Sequence, residues 1–163
     1  MLWRASIATI HQNSEFSIFE GCDRIIALIA GKPVLLKFAD GERIALELFE
    51  PRTFSCDRPV LAVVEEESRD LNLIWRRDAV AVDHAALLVR GRLATQMRRA
   101  NWHLVVACDG VNAVQSRGRT ETLLPGEALL FNRTREAQPL DLELSSERGV
   151  AFAFGIVELE KLS

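Results

Sequence analysis

The chain has 163 residues, of which 48% are apolar and 26% charged, with a formal net charge of −3. That length suits one domain, or two small halves sharing one core, and the composition argues against disorder. The arginines are spread along the chain and offset by acids, and basic clusters stop at the pairs Arg76-Arg77 and Arg98-Arg99, which excludes the net basic surface of a nucleic-acid binder.

In chain order, Trp3 to Ala8 alternates, with Arg4 and Ser6 on one face of a strand and Trp3, Ala5 and Ile7 on the other. Val34, Leu36 and Phe38 share a face, Asp40-Gly41 is a hairpin signal, and Ile44, Leu46 and Leu48 line the return strand up to Pro51. Val60 to Val64 is a continuous apolar run and predicts a buried strand. Leu71, Leu73 and Trp75 fall at period two, with Asp70, Asn72 and Arg76 opposite. The best helix candidate, Arg92 to Ala100, is short and lacks a clear cap. Leu104 to Ala107 and Val111 to Val114 flank a second hairpin signal, Asp109-Gly110. Pro125-Gly126 turns the chain into Ala128 to Phe131. Leu140, Leu142 and Leu144 alternate with acids, and Val150 to Val157 is a last apolar strand.

A dozen short strands at this spacing predict an all-β sandwich or barrel. The expected organisation is a single domain over 1–163, built as two β halves, about 1–77 and 99–163, joined by 78–98. No apolar run reaches the roughly 20 residues that span a bilayer. The opening Met1-Leu2-Trp3-Arg4 lacks the basic-then-apolar layout of a signal peptide, so a cytoplasmic location is expected. Cys22, Cys56 and Cys108 are widely separated and form no CxxC. They read as three reduced, partly buried thiols rather than a disulfide framework or zinc site.

Three phrases occur in order: Trp3-Arg4-Ala5-Ser6-Ile7-Ala8, then Phe16-Ser17-Ile18-Phe19-Glu20-Gly21-Cys22-Asp23-Arg24, then Asp70-Leu71-Asn72-Leu73-Ile74-Trp75-Arg76-Arg77. Together they resemble the HutD/Ves family, cupin-like proteins associated with bacterial histidine-utilisation operons or described as stress-induced. Leu124-Pro125-Gly126-Glu127 adds a turn of generic cupin type. The resemblance implies a cupin-like jelly-roll barrel, two half-barrels forming one compact bicupin unit. Members of that family carry a segment ahead of the Trp-Arg strand, with Pro-Trp, a run of glycines and Thr-Arg-Glu. This chain starts two residues before Trp3, which reads either as a start codon placed late or as a truncation whose exposed edge a partner covers.

Cupin enzymes hold metal with an HxH pair, a carboxylate and another His. Here only His11, His84 and His103 exist, isolated from one another, so neither a metal nor another cofactor is expected. Arginine offers a planar fork that pairs a carboxylate with two parallel hydrogen bonds, and Asn both donates and accepts. The candidate ligand-binding set is therefore Arg4, Ser17, Arg24, Asp70, Asn72 and Arg77, with no catalytic residue assigned. The expected partner is a small polar metabolite bearing a carboxylate or formyl group. No nucleic acid or membrane is expected, and a homodimer is the expected protein assembly. Three alternatives stay open, one of them a dimeric interaction protein whose exposed strand edge pairs with a second copy. Asp23 with Arg77, or Asp70 with Arg24, could be structural ion pairs. Asp70 or Asp23 could be the general base of a metal-free isomerase or hydrolase. No GxSxG elbow or phosphate loop occurs. Trp102 begins a strand and is read first as a core residue, with a pocket mouth as the alternative.

Overall fold

A computed structural model of the chain describes residues 1–110, 112–131 and 134–159. Val111, read from the sequence as part of a hairpin, lies outside the described residues. Every regular element among the described residues is a strand, and the chain divides into two compact units, Met1–Ala79 and Val80–Ser163.

The first unit holds β1 (Trp3–Ile10), β2 (Ser14–Glu15), β3 (Cys22–Ala30), β4 (Val34–Phe38), β5 (Arg43–Leu46), β6 (Arg52–Ser55), β7 (Val60–Val63) and β8 (Ser68–Arg76). They form two antiparallel sheets, ordered β1-β8-β3-β6 and β2-β7-β4-β5. Ile26 and Leu28 of β3, Phe54 of β6, Val34 and Leu36 of β4 and Ala62 of β7 share one core, so the two sheets pack face to face. Burying each such aliphatic side chain stabilises the fold by about 2 kcal/mol.

The β4–β5 hairpin forms where the alternation predicts it, and Arg58 ties its turn. That guanidinium reaches Asp40 at 2.5 Å and Glu42 at 2.6 Å and lies over the Phe38 ring. Leu48 departs from the expected pattern: β5 stops at Leu46, and Leu48 is exposed, bridging to Leu28 in parallel. The run from Val60 is also not buried throughout, because β7 alternates buried and half-buried positions. β8 goes the other way. Leu71, Leu73 and Trp75 are buried on one face, and Asp70, Asn72 and Ile74 are buried on the other.

The second unit holds β9 (Val80–Ala100), β10 (Trp102–Asp109), β11 (Asn112–Ser116), β12 (Arg119–Leu123), β13 (Ala128–Phe131) and β14 (Gln138–Glu158). Their order is β12-β11-β14-β10-β13, with β9 paired along β14. The two 21-residue strands stay paired from Gln138↔Ala100 to Glu158↔Val80, with register shifts between Gln138 and Leu140 and between Ser146 and Gly149. β14 gives its first half to β11 and its second half to β10, which curls the sheet around a core containing Val105, Val114, Leu140 and Leu144.

Arg92 to Ala100 is therefore strand, not helix. Leu93, Thr95 and Met97 face Leu144, Leu142 and Leu140 in register. Burial at period two against a formed neighbour outweighs the modest helix propensity of that segment.

Candidate functional site

Three strands of the first unit bring the polar residues together by register. Across β1, β8 and β3, Arg4 aligns with Ile74 and Arg24, Ser6 with Asn72 and Ile26, and Ala8 with Asp70 and Leu28. Directly opposed residues of an antiparallel sheet project to the same side. Arg4, Ser6, Arg24, Asp70 and Asn72 thus share the face that also carries the core residues Ile26 and Leu28. The segment around β2 runs beside that face, fixed by the Phe16 amide donating to the Val60 carbonyl at 3.0 Å. Between them lies a pocket of about 270 Å³, lined by Arg4, Ser6, Phe16, Arg24, Asp70 and Asn72, among others.

Arg24 is the centre of it. The residue is 5% exposed. Its guanidinium carbon sits 4.8 Å from the Phe16 ring centroid and 5.9 Å from that of Phe54, a cation–π arrangement that holds a charge with little water. One Nη donates to the Ser17 carbonyl at a long 3.5 Å, and Nε is buried with no hydrogen-bond partner among the described residues.

Asp70, 1% exposed, accepts from Asn72 Nδ2 at 2.9 Å. Burial pushes its carboxyl up to about 6, outweighing the attraction of Arg24 and the hydrogen bonds from Asn72 and the Ala8 backbone. With its amide nitrogen turned to Asp70, Asn72 leaves Oδ1 buried and unpartnered among the described residues. Two residues that line the pocket, Arg24 and Asn72, thus each bury one polar atom without a partner among the described residues, and burying such groups unpaired is costly.

Five of the six sequence candidates line this pocket: Arg4, Ser17, Arg24, Asp70 and Asn72. Arg77 stands apart. Its guanidinium pairs with Asp23 at 2.9 Å and Asp57 at 2.7 Å, and donates to the Cys22 carbonyl and the Ser55 hydroxyl. Of the two ion pairs considered from the sequence, Asp23–Arg77 is formed. Arg24 and Asp70 attract one another but are not hydrogen-bonded. Sequence reasoning missed Glu15, Phe16 and Phe54. Phe16 opens the second quoted phrase, whereas nothing around Phe54 marks it.

Elsewhere, His11 pairs with Glu67 at 2.7 Å, the His84 ring stacks on Phe154, and buried His103 bonds the Arg98 carbonyl at 3.0 Å. Among the described residues, no three His, Cys, Asp or Glu side chains are grouped as metal ligands. Trp102 donates its indole N–H to Glu158 at 3.1 Å.

The HutD family model matches residues 1–152. Protein Ves from Citrobacter koseri is 44% identical over 78 residues, which is 47% of this chain and 41% of that protein. The chain therefore spans well under two thirds of this curated relative. The crystal structure of PA5104, a conserved protein of unknown function from Pseudomonas aeruginosa PAO1, superposes with a TM-score of 0.87 at 25% identity, over 96% of this chain and 83% of that one. HutD from Pseudomonas fluorescens SBW25, in a formate condition, superposes with a TM-score of 0.79 at 25% identity, over 97% and 80%. The fold is cupin-like.

Proposed function

The chain belongs to the HutD family, and from that premise we propose that it is a metal-independent binding protein that senses or buffers a small carboxylated or formylated metabolite of histidine or amino-acid breakdown. The observation that carries this reading is Arg24: a buried guanidinium on a residue that lines the pocket, near the Phe16 and Phe54 rings, with Nε unpartnered among the described residues. A carboxylate or formyl oxygen answers that donor. A formylated amine also brings an N–H for Asn72 Oδ1. Apolar walls with a few convergent polar groups are the usual make-up of a small-ligand site.

The test is a thermal-shift and calorimetric screen with formate, acetate, glutamate and N-formyl amino acids. Selective binding raises the melting temperature in proportion to RT ln(1 + [L]/Kd). Arg24→Met abolishes that shift, while Arg77→Ala lowers the melting temperature but leaves ligand affinity within about twofold of wild type. Equal binding by the two variants sinks the reading.

One observation favours a second reading as a metal-free isomerase or hydrolase. A carboxyl held near 6 in a pocket suits a general base. Turnover of a bound compound by wild type, lost in Asp70→Asn with binding retained, would establish it.

The proposal further places the protein in the cytoplasm as a homodimer joined along the outer edge of β1, which carries no neighbouring strand in its sheet among the described residues. Sedimentation at two concentrations reads that assembly. No helix among the described residues is long and apolar enough to cross a membrane.

A further inference from the structure

β12 carries charge on the face where the second unit keeps its apolar core. Register pairs Asn112 with Leu123, Val114 with Glu121 and Ser116 with Arg119. Arg119 and Glu121 therefore project to the same side as Val114 and Leu123, which are core residues. Arg119 and Glu121 are both exposed, and only Leu123 of this strand is buried. Beside them Arg117 occupies the two-residue turn before Gly118 with φ of 51°, a left-handed conformation that Asn, Asp or Gly adopts at lower cost. Neither the Arg117 nor the Arg119 guanidinium has an ion-pair partner among the described residues.

These side chains border a cavity of about 330 Å³ whose other wall is β13, with Val114, Leu129 and Phe131 as its apolar lining. Two guanidiniums against the single carboxylate of Glu121 leave the cavity one net positive charge. Its volume falls at the lower end of small-molecule sites.

We propose that this cavity is a second ligand site, which takes a compact monocarboxylate with an apolar or aromatic body. The carboxylate meets Arg119 and Arg117, whose planar forks suit it. The body lies on Val114, Leu129 and Phe131, away from water. The site is independent of the Arg24 pocket, which lies in the other unit. Charges on an edge strand can also serve only to block pairing with another chain, and the experiment separates the two roles.

The full-length protein with methyl-labelled Leu and Val is titrated with phenylacetate, phenylacetamide and acetate by NMR, with calorimetry in parallel. Phenylacetate is expected to shift the methyl signals of Leu129 and Val114. Acetate and phenylacetamide bind at least about tenfold more weakly. Arg119→Met weakens phenylacetate by about tenfold or more, and Arg24→Met leaves it unchanged. Equal binding of the amide, loss of phenylacetate binding in Arg24→Met alone, or no methyl shift at millimolar phenylacetate overturns the proposal. So does self-association of Arg119→Met without any wild-type binding, which assigns the charges to edge protection. Should Arg119→Met fail to fold, the wild-type methyl shifts and the amide comparison decide the matter.

Discussion

Asp70 is an acid in a place that favours its neutral form. Unfolded, its carboxyl titrates near 3.8; folded, near 6. Between those values the native state holds more protons than the unfolded one, so stability falls as pH rises. The favourable contribution is complete below the unfolded value and is lost as pH rises through about 6, a penalty of about 3 kcal/mol at neutral pH. Denaturant midpoints measured from pH 4 to 8 are expected to show that decline in wild type, and Asp70→Asn to lack that part of it. Parallel pH profiles for the two proteins contradict this account. The same proton bears on ligand. Arg4, Glu15 and Arg24 are the other charged groups lining the pocket. A carboxylate entering beside an ionised Asp70 adds a second negative charge in low dielectric, so its affinity is expected to rise as pH falls through about 6.

Elements are set by turns as much as by strands, and the two Asp-Gly turns differ in what surrounds them. Gly41 has φ of +94° with open space where a side chain would go. Gly110 has φ of +66°, and a Cβ there would collide with the Arg148 carbonyl, beside the register shift of β14. Gly41→Ala is expected to cost about 1 kcal/mol for its backbone conformation alone. Gly110→Ala costs at least about 2 kcal/mol more, because backbone must move. Chemical denaturation of both variants checks the order, and equal losses would show that the β14 backbone yields easily. The hairpin expected at Asp109-Gly110 does not form, because β10 and β11 each pair with β14, which lies between them; the hairpin at Asp40-Gly41 does form, and was legible because Asp-Gly between alternating apolar runs is a local signal. The close approach of Arg148 was not, because it depends on a residue 38 positions away. The strand over Arg92 to Ala100 was hidden for a similar reason. Its residues favour helix weakly, and only pairing with Leu140, Leu142 and Leu144 supplies the burial that decides otherwise.

At the scale of the whole molecule, the three cysteines sample both units. Cys22 and Cys56 are buried in the first and Cys108 in the second. Burial raises the Cys56 thiol, against the pull of Arg24, and pushes that of Cys108 up to about 12. The thiolate is the reactive form. Native protein is therefore expected to resist a thiol reagent at neutral pH and to release three equivalents of label only in denaturant. Fast labelling of one thiol in native buffer would reveal local opening of the unit that holds it.

The sequence by itself determined the class of the fold and singled out five of the residues that line the first pocket. Period-two patterning is a local property, and the phrases holding Arg4, Ser17, Arg24, Asp70 and Asn72 carried the resemblance to the family. Tertiary structure alone decided which of those groups meet. Arg24 and Arg77 look alike in sequence, both in matched phrases and both near an acid. Yet Arg24 lines the pocket with a buried, unpartnered Nε, and Arg77 is held by Asp23 and Asp57. Asp57 lies in none of the matched phrases, and neither does Phe54, which packs against Arg24. A residue's partners come from strands paired across tens of residues, and register between distant strands is set by global packing rather than by neighbours in the chain.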